Sequence, residues 1–252
     1  MRSTLTLLAL LAALAVLVAP AATAQRTAAA HGCVRGNELW FRTADGVKLV
    51  GHRFGGLRPG TKPVVVLAHM SNGSLCEWLP EARRLAARGI WVFAFDFRGH
   101  GFSQGTQRYG RLGLDVAAAV KAARGLGARK VVIAGASLGG IAVVVAGATI
   151  TPAVSGIAAI SAPATIAGRL NALPFAPRLR VPTLYLASRD DQNAPYDFAA
   201  DAQRLYDATG STAKRLELED GALHGVFLVE GSARVRSLLE AFVRNPAAVA
   251  TG

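Results

Sequence analysis

A serine lies between two glycines in the run Gly135-Ala136-Ser137-Leu138-Gly139. The apolar segment Lys130–Ala134 precedes this run and the helical pattern Leu138–Ala148 follows it, so the serine lies in a sharp turn between a strand and a helix. Glycines at both ends of such a turn let the strand and the helix approach closely. The positive end of the helix favours negative charge that develops beside the serine. The pattern predicts a nucleophile at Ser137, against the alternative of a glycine-rich turn without chemistry.

The same turn does not match the nucleotide-binding motifs that are also rich in glycine. A phosphate-binding loop ends in Gly-Lys-Ser or Gly-Lys-Thr, and neither follows Ser137. The dinucleotide-binding spacing G-x-G-x-x-G is also not matched. No cofactor is therefore implied by this region.

A serine hydroxyl is a weak nucleophile and needs a base. In proteins that carry such a serine turn, an acid and then a histidine follow the serine along the chain. His224 is the histidine that lies after Ser137, in a loop between the last predicted strand and the last predicted helix. His224 is therefore the predicted general base, and the alternative is an ordinary surface histidine.

The acid that orients this histidine is expected after a strand between the two residues. Leu184–Ala187 leads into Ser188-Arg189-Asp190-Asp191, and Pro195 is expected to open the next helix. Asp191 is favoured because its spacing to Pro195 fits a turn directed at the site, and Asp190 remains the alternative. Asp220 is too close to His224 in sequence to orient its ring across the site.

Short apolar segments alternate with longer helical patterns along the chain. The predicted strands are Glu38–Arg42, Val47–Arg53, Val64–Ala68, Ile90–Phe95, Lys130–Ala134, Gly156–Ile160, Thr183–Ala187 and Arg215–Leu218. The predicted helices are Leu79–Arg88, Leu112–Leu126, Leu138–Ala148, Tyr196–Ala208 and Ser232–Val243. This order predicts an α/β fold with a mostly parallel central sheet, helices on both faces, and an antiparallel hairpin around Asp45-Gly46 at the N-terminal edge. Active sites of such sheets lie at the carboxyl ends of the strands.

The segment Ser161–Arg180 lies between the sixth strand and the strand that leads to the acid. It contains three prolines and room for one or two helical turns around Ala164–Leu173. Such a short segment cannot form a separate lid with its own core. We expect a short cap and an open cleft, although the Leu75–Trp78 or Gly105–Arg111 loops could cover the site instead.

The first 24 residues have the pattern of a secretory signal peptide. A positive start is followed by the apolar run Leu5–Val18 and by Ala22-Thr23-Ala24, which resembles a cleavage site. The alternative is a membrane anchor, but the run is shorter than the roughly 20 residues that span a bilayer. We therefore expect one domain over residues 25–252, secreted or held in the cell envelope, without stable membrane insertion after cleavage.

The distribution of charge along the chain restricts its possible partners. The chain has 252 residues and a formal net charge of +12. Its basic residues are scattered rather than clustered, so no nucleic-acid partner is expected.

Cys33 and Cys76 have no metal-ligand spacing. In an oxidising compartment they could form a disulfide, and two separate buried thiols are the alternative.

Five segments together resemble the α/β-hydrolase superfamily, in particular its bacterial esterase-like branch. The segments are Val66-Leu67-Ala68-His69-Met70, Asp96-Phe97-Arg98-Gly99-His100-Gly101-Phe102-Ser103, the Ser137 turn, the Asp191 turn and His224-Gly225. Met70 departs from the family pattern, in which a glycine follows the histidine. The resemblance implies an α/β-hydrolase fold and an oxyanion hole formed by the backbone N–H groups of Ser71 and Leu138, with Met70 as the alternative to Ser71.

Three functions are consistent with these residues. A serine hydrolase that cleaves carboxylic esters with Ser137, Asp191 and His224 is favoured. An acyltransferase or a peptidase could use the same three residues. A binding protein that has kept only the fold is the third hypothesis, and the intact set of three residues argues against it. None of these functions implies a cofactor or a metal ion.

Overall fold

The computed structural model describes residues 33–251, except residues 35, 37 and 194. The predicted signal peptide lies outside these residues. The strands are β1 (Glu38–Arg42), β2 (Lys48–Phe54), β3 (Val64–Ala68), β4 (Trp91–Phe95), β5 (Val131–Ala136), β6 (Gly156–Ile160), β7 (Thr165–Ile166), β8 (Leu170–Asn171), β9 (Thr183–Ser188), β10 (Gln192–Asn193), β11 (Tyr196–Asp197) and β12 (Lys214–Glu219). The helices are α1 (Leu79–Ala87), α2 (Leu112–Gly125), α3 (Leu138–Gly147), α4 (Phe198–Ala208), α5 (Val226–Gly231), α6 (Ala233–Arg244) and α7 (Pro246–Ala250).

Eight of the described strands form one sheet in the order β1-β2-β4-β3-β5-β6-β9-β12. The strands β1 and β2 pair antiparallel around Asp45-Gly46, and β2 also runs antiparallel to β4. The other neighbours are parallel. The predicted α/β fold with an antiparallel hairpin at its edge is confirmed.

The central strands are buried on both faces, which explains their unbroken apolar sequences. In β3, Val64 and Val66 pack on one face with residues of α2 and α3. Val65 and Leu67 pack on the other face with residues of α1, α5 and α6. This two-sided packing fixes the carboxyl ends of β3, β5, β6 and β9 along one edge of the sheet, where the predicted site residues lie.

Two local predictions are wrong. The segment Ala164–Leu173 contains no helical turn but the β7–β8 hairpin, because the β-branched Thr165 and Ile166 favour a strand and Gly168 takes φ +64° in the turn. Helix α4 begins at Phe198 rather than near Pro195, because Tyr196 pairs in β11 and the side chain of Asp197 caps the helix at the N–H of Ala200.

The two cysteines form a disulfide, with their Cα atoms 5.9 Å apart. The bridge joins Cys33, ahead of β1, to the 3₁₀ turn Leu75–Trp78 that precedes α1. The alternative of two separate thiols is therefore wrong for this structure. Among the described residues, no helix combines the length and the apolar character that a bilayer span requires.

Candidate active site

Ser137 lies in a strained turn between β5 and α3. Its backbone has φ 50° and ψ −113°, which a residue with a side chain rarely adopts. Its N–H donates to the carbonyl of Ile160 at 2.8 Å. A side chain at Gly135 would collide with the backbone of Gly139, and one at Gly139 would collide with the carbonyl of Ala68. The two glycines are therefore required for the close approach that presents Ser137 at the sheet edge.

His224 and Asp191 are joined by their side chains. Nδ1 of His224 lies 3.0 Å from Oδ1 and 2.9 Å from Oδ2 of Asp191. The carboxylate accepts, so Nδ1 carries the proton and Nε2 keeps its lone pair. Asp191 is buried, and the His224 side chain is 30% exposed. The pair has the geometry by which an acid fixes the tautomer of a catalytic histidine.

The two other carboxylates considered for this role lie elsewhere. Asp190 is exposed, and its N–H donates to the carbonyl of Gly221. Asp220 forms an exposed ion pair with Arg189 at 3.0 Å. The structure therefore brings Asp191, and neither alternative, to His224.

Two buried serines hold the backbone on both sides of His224. Oγ of Ser188, at the end of β9, donates to the carbonyl of Leu223 at 2.6 Å. Oγ of Ser161, just after β6, accepts from the N–H of Gly225 at 2.9 Å. Neither serine belongs to a motif that predicts this role. Their positions at the carboxyl ends of two predicted strands were the available signal.

The loop that contains His224 packs against the turn that contains Ser137. A side chain on Gly225 would collide with Sδ of Met70 and would lie 3.5 Å from Cβ of Ala136, the residue before Ser137. Met70 therefore fills space that Gly225 leaves open. The ring centroid of Phe198 lies 4.3 Å from that of His224, and Phe198 lines the same cleft as Ser137. These contacts place the loop that contains His224 beside the turn that contains Ser137.

The predicted oxyanion donors, Ser71 and Leu138, also line this cleft. Leu138 begins α3 directly after Ser137. The backbone N–H of Met70 is engaged, because it donates to Oε2 of Glu77 at 2.9 Å. The arrangement therefore favours Ser71 over Met70 as the donor from this loop.

Glu77 lies beneath the loop that follows β3. A side chain at Gly73 would collide with the Glu77 carboxylate, so the loop passes closely over it. Burial raises the pKa of Glu77, and the hydrogen bond from Met70 opposes that rise. The neighbouring N–H of Leu75 donates to Oδ1 of Asp96 at 2.8 Å. Two carboxylates thus tie down the backbone on both sides of the predicted donor Ser71, and Glu77 was missed because its sequence context carries no motif.

The cleft above Ser137 has a volume of about 340 Å³, and Ser137 is only partly buried. The residues that line the cleft come from the turn that contains Ser137, the loops that follow β3 and β4, the segment that includes the β7–β8 hairpin, and the β11–α4 junction. They are Ser71, Tyr109, Ser137, Leu138, Pro163, Ile166, Ala167, Arg169, Tyr196 and Phe198. The predicted cap segment contributes one wall, and the Gly105–Arg111 loop contributes Tyr109. In the part of the chain that the structure describes, no group of three or more His, Cys, Asp or Glu side chains is arranged to hold a metal ion.

Comparisons with known proteins agree with this fold. The family model for serine aminopeptidase, S33, matches residues 59–177. The esterase Pf2001 of Pyrococcus furiosus superposes with a TM-score of 0.67 at 20% identity, over 83% of this chain and 92% of the esterase. The esterase EaEST of Exiguobacterium antarcticum gives a TM-score of 0.66 at 17% identity, over 82% and 99% of the two chains.

A solved structure of a lactonase has the same fold. The enol-lactonase of Burkholderia xenovorans superposes with a TM-score of 0.64 at 16% identity, over 80% of this chain and 98% of the lactonase. No curated protein sequence matches the chain. The sheet order and these superpositions show that the chain has the α/β-hydrolase fold, and the family model that matches residues 59–177 supports a hydrolase.

Proposed function

We propose that this protein is an exported serine hydrolase that cleaves carboxylic esters through an acyl-enzyme intermediate. Ser137 is the nucleophile, His224 is the general base and acid, and Asp191 orients the histidine. The observation that carries the proposal is the pair of contacts between Nδ1 of His224 and Asp191, beside a strained serine turn. This arrangement leaves Nε2 of His224 free to accept a proton.

The first half of the reaction forms the acyl-enzyme. Nε2 of His224 takes the proton as Oγ of Ser137 attacks the acyl carbonyl carbon. The N–H groups of Ser71 and Leu138 hold the negative oxygen of the tetrahedral intermediate. The intermediate collapses, the bond to the alcohol oxygen breaks, and the alcohol leaves with the proton from Nε2.

The second half of the reaction releases the acid. Water loses a proton to Nε2 of His224 and attacks the acyl carbon. Collapse of the second intermediate breaks the bond to Oγ of Ser137, which regains the proton. Asp191 remains ionised and stabilises the imidazolium in both halves.

Export is part of the proposal. The N-terminal pattern of residues 1–24 is that of a signal peptide, and the Cys33–Cys76 bridge suits an oxidising compartment. Size comparison of the cellular and exported protein, with N-terminal sequencing, tests this part. A mature chain that still begins at Met1 would contradict it.

A peptidase is the second candidate function, because the matched family model is described as serine aminopeptidase. An aminopeptidase must bind a free ammonium group, for which a carboxylate is the natural partner. The charged side chain among the described lining residues is a cation, Arg169. This charge weighs against the peptidase and in favour of the esterase.

The test combines active-site labelling with substrate turnover. We expect a fluorophosphonate probe to label the native protein, and Ser137→Ala and His224→Ala to lose labelling and several orders of magnitude in kcat. Asp191→Asn should be severe, whereas Asp190→Asn, the matched control, should be mild. A series of short-chain esters and aminoacyl amides then separates esterase from peptidase. Full ester turnover by Ser137→Ala would overturn the assignment.

A further inference from the structure

Arg169 lies in the wall of the cleft that contains Ser137 and the two predicted oxyanion donors. It belongs to the turn of the β7–β8 hairpin, where its N–H donates to the carbonyl of Ile166 at 2.9 Å. Ile166 lines the same cleft. The hairpin therefore fixes the backbone of Arg169 at the mouth of the proposed active site.

An aromatic ring on the opposite loop holds the side chain of Arg169. Its guanidinium carbon lies 5.1 Å from the ring centroid of Tyr109, and Tyr109 also lines the cleft. This cation–π contact restrains the guanidinium without neutralising its charge. The planar group keeps N–H donors available for a carboxylate or a phosphate.

Arg169 has no carboxylate partner in the described part of the chain. No Asp or Glu side chain there forms an ion pair with it, and the described lining residues include no acid. The acid nearest to the chemistry, Asp191, is buried and bound to His224. A cleft with one cation that no carboxylate neutralises attracts anionic groups and raises their local concentration.

We propose that Arg169 makes this cleft selective for esters that carry a carboxylate or another anionic group away from the scissile bond. The inference rests on the proposed ester hydrolysis at Ser137 and adds the class of substrate. The anion can belong to the acyl part or to the alcohol part of the ester. In both cases Arg169 binds it and orients the carbonyl carbon towards Oγ of Ser137.

The test compares esters that differ by one charge. For the alcohol side, 4-acetoxybenzoate is compared with 4-acetoxybenzamide; for the acyl side, monophenyl adipate is compared with phenyl adipamate. Each kcat/KM is divided by the alkaline hydrolysis rate of the same ester. The native enzyme should prefer the anion of at least one pair by about threefold or more, the size of one exposed ion pair.

Variants assign this preference to Arg169. Arg169→Gln should abolish the preference by lowering kcat/KM for the anionic esters, and Arg169→Lys should restore part of it. Arg178→Gln is the matched control, because Arg178 makes a similar contact with Phe175 at 5.7 Å but does not line the cleft. This control should keep the preference, and added salt should weaken the preference of the native enzyme.

Three results would overturn the inference. Equal normalised rates within both pairs would show that the cleft does not select anions. A preference that survives in Arg169→Gln would assign the selectivity to another residue. Failure of every ester together with failure of fluorophosphonate labelling would overturn the proposed function itself, and the selectivity with it.

Discussion

The backbone N–H of Met70 donates to Oε2 of Glu77 at 2.9 Å, one residue before the predicted oxyanion donor Ser71. An N–H that is already bound to a carboxylate cannot also stabilise a developing oxyanion without losing that bond. We therefore expect Ser71, and not Met70, to be the donor of the proposed oxyanion hole, with Glu77 as a positioning residue for this loop. Met70 stands where the α/β-hydrolase sequence pattern has glycine, and its N–H donates to Glu77.

Replacement of Glu77 tests this relationship. In Glu77→Ala the Met70 N–H loses its acceptor and the loop is no longer held, so we expect kcat to fall about 10- to 100-fold. The full loss of one oxyanion donor costs about 10² to 10³ in kcat, which sets the upper limit. KM for a short neutral ester should change little, because the loop contributes to the transition state.

Glu77→Gln provides the matched control. Its amide oxygen can accept from the same N–H, so we expect most of the activity to return. Steady-state kinetics and the melting temperature of both variants separate loss of positioning from loss of folding. A fully active Glu77→Ala would show that the loop is held without this carboxylate.

Loss of one partner of the buried ion pair between Arg98 and Asp115 is expected to destabilise the segment Asp96–Ser103. Nη2 of Arg98 lies 2.7 Å from Oδ1 of Asp115, and both side chains are almost fully buried. In Asp115→Ala the guanidinium remains buried with only Asp45 as a partner, so the free energy of unfolding should fall by about 3–5 kcal/mol. Urea unfolding measures this loss.

A solvent-exposed ion pair provides the control for Asp115→Ala. Asp220 pairs with Arg189, and both side chains are mostly exposed. Asp220→Ala should cost less than about 1 kcal/mol, because solvent screens such pairs. Similar losses in the two variants would contradict a special role for the buried pair.

The Cys33–Cys76 disulfide closes a loop with a sequence separation of 43 residues. The chain-entropy model predicts about 4 kcal/mol of stabilisation for a loop of this length. We expect Cys33→Ser with Cys76→Ser to lower the free energy of unfolding by about 2–4 kcal/mol. Thiol titration of the denatured, unreduced protein should find no free thiol, and two free thiols would contradict the bridge.

Much of the fold could be predicted because the central strands are buried on both faces. Unbroken apolar runs such as Val64–Ala68 and Gly156–Ile160 have the observed strand bounds. The short hairpin β7–β8 could not be predicted, because a strand of two residues carries no periodicity and depends on contacts with the cleft. Helix α5 was missed for a similar reason, since six residues are too few for a clear helical pattern.

The site residues were predictable to the extent that chemistry restricts residue type and order. Ser137 and His224 are marked by motif and order, and Asp191 by its place after a strand. Glu77, Ser161 and Ser188 act on the backbone of other residues, and many residue types could supply such contacts. Their partners are 7, 64 and 35 residues away along the chain, so these roles become visible only once the fold brings the segments together.

The buried His69 predicts how stability depends on pH. Its Nε2 accepts from the N–H of Phe97 at 3.0 Å, so the proton lies on Nδ1, which donates to the carbonyl of Met70 at 2.6 Å. Burial lowers the pKa of His69 to about 4, from 6.5 for an ordinary histidine; His100 adds to the decrease, and Asp96 opposes it. The folded protein therefore keeps a neutral ring at pH values where the unfolded chain takes up a proton.

The direction in which the free energy of unfolding changes with pH follows from this difference in bound protons. As the pH falls from 6.5 towards 4, the unfolded state gains a proton that the folded state does not, so the free energy of unfolding should fall by about 3 kcal/mol and then level off for this group. Urea unfolding between pH 7.5 and 4 measures the slope, and the ring proton shifts of His69 should stay constant above about pH 5. His69→Gln removes the titrating group, so its slope should be shallower than that of the native protein, whatever its absolute stability. Equal slopes in the two proteins would mean that other groups cause the loss of stability in acid, and that the buried ring of His69 does not.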